Sequence, residues 1–180
     1  MVLHPPGSQA AAPAQGHTLH RCIPERLTAL RALLARFGID LRLHPFDAPL
    51  PGSYWGDAEA GIVGHTLHVR PDTPVHSALH EACHLVCMDR YRRAAVHTDA
   101  GGDDLEEAAV CRLQILLADH LPGVGRDALM ADMDAWGYSF RLGSTRAWFL
   151  RDSEDADAWL RTHDLVDATG AVTFRLRGAP

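Results

Sequence analysis

The chain has 180 residues, 47% of them hydrophobic, and a formal net charge of -6. That length supports one full core, so a single domain is expected, and the acidic balance argues against a nucleic-acid partner, which calls for clustered Lys and Arg. No run of 18 apolar residues exists and the first twenty lack a secretory pattern, so the sequence predicts a cytoplasmic protein with no membrane partner.

Residues 1–19 are rich in Pro, Ala, Gly and Gln, too poor in bulky apolar groups to repay the entropy of ordering, and predict a flexible tail. A domain over residues 20–180 follows. Between 24 and 37, Leu27, Leu30, Leu33, Leu34 and Phe37 recur at helical spacing, and Gly38 supplies the stop. Ile39, Leu41 and Leu43 then alternate as in a strand, and a second alternating run over 62–70 places Val63, Leu67 and Val69 on one face. Thr73 and Pro74 mark a helix start, with the Thr hydroxyl as cap, and that helix is expected to run to about Tyr91. Further helices are predicted over 103–120, 126–136 and 155–162, with an aromatic-bearing stretch over 136–149 and a closing strand over 171–176. The acidic run 152–157 reads as a solvated helix start. The fold class expected is α+β, with helices packed on a small mixed sheet.

Within the helix that follows Pro74 lies His80-Glu81-Ala82-Cys83-His84, an H-E-x-x-H pattern. Residues four apart stack one turn above each other, so both imidazoles can face one zinc ion while Glu81 stands beside it as base for a metal-bound water. A catalytic zinc needs a third protein ligand, and the candidates are Glu106, Glu107 and Asp103 at the head of the next long helix. Glu106 leads the buried stripe Ala109, Val110, Leu113, Leu116 and Leu117 and is the first choice, whereas Glu107 leads the more mixed face of Val110, Cys111 and Gln114. The competing role for Glu106 is a capping box with Asp103.

Together with Glu106-x-x-Ala109, the H-E-x-x-H helix resembles the zincin metallopeptidases with a glutamate third ligand and, more loosely, the ImmA/IrrE-like peptidases. The resemblance covers roughly residues 24–119. It implies a zincin-like domain, His80, His84 and Glu106 as zinc ligands, Glu81 as general base, and the strand over 62–70 as an edge along which a peptide or protein substrate lies. Resembled peptidases often carry Asp or Asn after the Ala to orient a ligand histidine; this chain has Val110 there, so another group must supply that hydrogen bond. A non-catalytic zinc or peptide-binding module is the alternative.

Oxyanion donors are sought among Tyr91, His97, Tyr138 and Arg141, with Tyr138 first. Cys83, Cys87 and Cys111 read as small apolar filler, although Cys87 shares the metal side of its helix, and the four cysteines of the chain suggest reduced thiols rather than disulfides. His17, His20, His44, His65, His68, His76 and His97 read as ordinary surface or strand residues.

Overall fold

A computed structural model describes residues 17–54 and 58–178. The element order is α1 (Pro24–Ala35), β1 (Asp40–Leu43), β2 (Gly61–Val63), β3 (Thr66–Val69), α2 (Val75–Cys87), α3 (Arg90–Ala95), α4 (Asp104–Ala118), α5 (Gly125–Trp136), α6 (Thr145–Arg151) and α7 (Glu154–Thr162). The fold is α+β, with seven helices and one three-stranded mixed sheet among the described residues. Among the described residues no helix is long and apolar enough to cross a membrane.

The sheet order is β1-β3-β2, with β1 parallel and β2 antiparallel to β3. The run expected as one strand is therefore a hairpin, turning at Gly64 and His65, and Gly64 takes the positive φ of 57° that such a turn requires. A two-residue turn changes the parity of everything before it. Ile62, Leu67 and Val69 enter the core, while Val63 pairs with Thr66 on the opposite face, against the sequence reading. The loop before β2 crosses it so closely that a Cβ on Gly61 would stand 2.2 Å from the Pro51 carbonyl oxygen.

Helix α1 begins with Pro at its first turn and buries Leu27, Leu30, Leu33 and Leu34, as its periodicity predicts. Thr73 does not cap α2; its hydroxyl accepts the Arg70 N–H (2.9 Å), and the His20 carbonyl takes the Val75 N–H (2.8 Å). The helix stops at Met88, short of Tyr91, because Asp89 caps a new helix by accepting from the N–H groups of Tyr91 and Arg92. Asp103 caps α4 in the same way, through Leu105 and Glu106. No strand forms over residues 171–176: Phe174 has φ 59°, and a lone bridge joins Val166 to Val172. Helix α4 is central, packing against α2, α5 and α7.

Of the expected tail, residues 1–16 lie outside the described residues, whereas residues 17–19 are packed against the fold. Leu19 is buried, and His17 and His20 bond the fully buried carboxylate of Asp132 on α5 at 2.6 and 2.9 Å. The His20 backbone N–H is a third donor to it, at 2.9 Å. Asp132→Ala is therefore expected to cost about 2–3 kcal/mol, read from urea unfolding, and a loss below about 0.5 kcal/mol would show the segment to be held otherwise.

Candidate metal centre

Helix α2 lies with one side against α4, and that side carries His76, His80 and His84, one turn apart. The Nε2 atoms of His80 and His84 are 3.1 Å apart. Opposite them stands Glu107 of α4, with carboxylate oxygens 3.9 Å from His80 Nε2 and 3.7 Å from His84 Nε2. A tetrahedral ion with bonds of about 2.0–2.2 Å holds its donors about 3.3–3.5 Å apart, a spacing that these distances bracket. The two nitrogens and the carboxylate oxygen lie within 4.8 Å of one another and form the one such group among the described residues.

The protonation states suit a cation. Burial pushes the His80 pKa down to about 4 and that of His84 well below its usual value, so both rings are neutral with a lone pair available. His80 Nδ1 donates to Gln114 Oε1 at 2.7 Å, which turns its Nε2 toward the cluster. Gln114 thus does the orienting work that Val110 cannot, and its own amide is steadied by Met133 Sδ at 3.0 Å. His84 Nδ1 is buried without a partner.

Burial raises the Glu107 carboxyl to about 7, against a 3.1 Å hydrogen bond from the Gly102 N–H that favours its charged form. Glu81, part-buried beside His80, is raised to about 8, first by burial and then by repulsion from Glu59 and Glu107. A carboxyl so poised takes and returns a proton near neutral pH. The Tyr138 ring lies 5.9 Å from that of His80, and its hydroxyl shares Gln114 as partner; burial holds the phenol well above its usual pKa, keeping it a donor.

Glu106, the first choice for third ligand, is turned away from the histidines. It is buried as expected, but Arg92 (2.7 Å) and Arg177 (3.0 Å) grip its two oxygens. The buried stripe does carry a carboxylate, but cations from two distant segments neutralise it. Asp103, the third candidate, is committed to its cap. Among the other donors considered, Tyr91 is exposed and bonded by Arg90, His97 bonds Thr98, and Arg141 pairs with Asp152 at the surface. The Cys83, Cys87 and Cys111 thiols are fully buried, raised by that burial, and no metal-binding group among the described residues includes them.

The edge expected to receive a peptide is not open. Strand β3 is central in the sheet, and the outer side of β2 is bonded by Thr98 N–H to the Ile62 carbonyl (3.1 Å) and by Gly64 N–H to the Val96 carbonyl (3.0 Å). His76, read as an ordinary residue, is fully buried between the rings of Trp136 (5.2 Å) and Tyr138 (5.6 Å).

No family model, no curated protein and no solved structure matches this chain.

Proposed function

We propose that this protein is a zinc-dependent hydrolase of peptide bonds acting in the cytoplasm, built like the zincins it resembles, with His80, His84 and Glu107 as the metal ligands. The observation that carries the reading is the convergence of two neutral imidazoles and one carboxylate from facing helices, with Glu81 next to them in the chain. Zinc held there would supply Lewis acidity and ease the ionisation of water. Glu81 would take the water proton and return it to the leaving amine, and the Tyr138 hydroxyl would donate a hydrogen bond to the carbonyl oxygen as negative charge develops. Gln114 would keep the His80 ring in its ligating orientation throughout.

A non-catalytic metal module is the second reading, and two observations favour it: the covered outer side of β2 and the unpartnered Nδ1 of His84. Zinc analysis of purified protein is the first test of both. One zinc per chain is expected, lost in His80→Ala, in His84→Ala and in Glu107→Ala, and the loaded protein should cleave a mixture of unstructured peptides. Absence of stoichiometric zinc from the native chain would sink both readings; zinc without cleavage would select the second.

A further inference from the structure

Two adjacent glutamates open α4, and only one of them faces the histidines. Adjacent helical positions point about 100° apart, so fixing Glu106 dictates where Glu107 aims. Glu106 is fixed firmly. Its nearly inaccessible carboxylate receives Arg92 on one oxygen and Arg177 on the other, at 2.7 and 3.0 Å. Arg92 also donates to the carbonyls of Ala100 (3.0 Å) and Gly101 (2.7 Å), ordering the loop whose next residue, Gly102, donates its N–H to Glu107. A Cβ on Gly102 would stand 2.5 Å from the Glu106 carboxylate, so the loop and that side chain are packed without slack.

Arg177 carries the network to the other helix. Its backbone N–H bonds the Val86 carbonyl (3.0 Å) and its guanidinium the Cys87 carbonyl (3.3 Å), in the turn of α2 just beyond His84. Arg93 reinforces the same end by donating to the Leu85 carbonyl (2.7 Å) and the Arg177 carbonyl (3.0 Å). One buried carboxylate therefore ties the last turn of the histidine helix to the first turn of the glutamate helix, using an arginine 71 residues away in sequence.

We propose that Glu106, with Arg92 and Arg177, is a positioning residue for the metal centre: it sets the rotation and separation of α2 and α4 that bring Glu107 onto His80 and His84. The C-terminal segment around Arg177 is then part of the metal site's scaffold although it touches no ligand. This rests on the metal reading above.

The test is cobalt(II) titration followed by visible absorption, whose intensity and band shape report coordination geometry. Arg177→Met and Glu106→Gln, matched by circular dichroism as folded, are expected to bind cobalt ten- to a hundredfold more weakly, with altered bands. Arg177→Lys should recover part of the affinity by restoring the charge. The Arg177 side chain is 27% exposed, so its replacement by Met opens no core and remains informative should Glu106→Gln fail to fold. Arg112→Met, which removes a bond between α4 and α7 to Asp157, is the control for general loosening and should leave cobalt binding unchanged. Native affinity and bands in Arg177→Met, or equal losses in Arg112→Met, overturn the proposal while leaving the metal reading intact. No cobalt binding by the native chain overturns both.

Discussion

Glu81→Gln is expected to lower turnover of the zinc-loaded protein on peptides by about 10²- to 10⁴-fold while leaving one zinc per chain. Glutamine keeps the shape of the side chain and removes only its capacity to accept and return a proton, and Glu81 is not among the ligand atoms, so the metal has no reason to leave. The same change has an opposite effect on stability. The Glu81 carboxyl is raised to about 8 in the fold, so the stability it lends is complete below about 4.5 and is lost as pH rises through about 8. At pH 8 the native protein holds a part-buried charge repelled by Glu59 and Glu107, and the amide does not. Metal-free Glu81→Gln should therefore unfold at higher urea than native protein at pH 8, by about 3 kcal/mol, with the gap closing toward pH 5. An inactive but stabilised variant separates a chemical role for Glu81 from a structural one. Undiminished turnover would remove Glu81 as base, and activity absent from the native chain as well would select the metal module.

What could be read in the sequence depends on how far apart the deciding residues lie. The two histidines are legible because a helix converts a spacing of four into a shared face, and α1 and α4 are legible because the leucine periodicity of the one and the Asp103 cap of the other are equally local. The break at Met88 hides in a sequence that stays helical in pattern, although Asp89 is a good cap in plain view. The hairpin at Gly64 hides because apolar alternation continues across the turn while the faces exchange. The choice between Glu106 and Glu107 is a different matter. Which of the two faces His80 and His84 depends on how α4 lies against α2, and the charges that pair with Glu106 come from α3 and from residue 177, far away in sequence. A usable clue did exist: Gln114 lies on the Glu107 face of α4 among apolar neighbours, and a buried amide has to be facing a partner. The most apolar face of α4 leads to Glu106, whose partners are arginines, and not to Glu107, which stands near the histidines.

His76 lends itself to the clearest test of what this helix face is for. Its ring is fully buried and neither nitrogen has a partner, a loss of hydrogen bonding that ordinarily costs about 1–3 kcal/mol. Burial lowers its pKa to about 3, and Arg21, together with His80 once acid protonates it, acts in the same direction. A pKa lowered in the fold means that the unfolded chain takes up a proton the native one refuses. Its contribution is therefore highest above about 6.5 and falls as pH drops toward about 3, by about 1.4 kcal/mol per pH unit within that window. His76→Leu, of similar volume and with nothing to hydrogen-bond, should be more stable than native protein by about 1–2 kcal/mol at pH 7.5. By pH 5 the advantage should widen by about 2 kcal/mol, measured by urea unfolding at both pH values. A gap that does not change with pH would mean that the ring finds a partner in solution. If the gap does widen, a residue that weakens the fold stands one turn from His80 and against Tyr138. Loss of turnover in that stabilised variant would then place His76 among the groups retained for activity at the expense of stability.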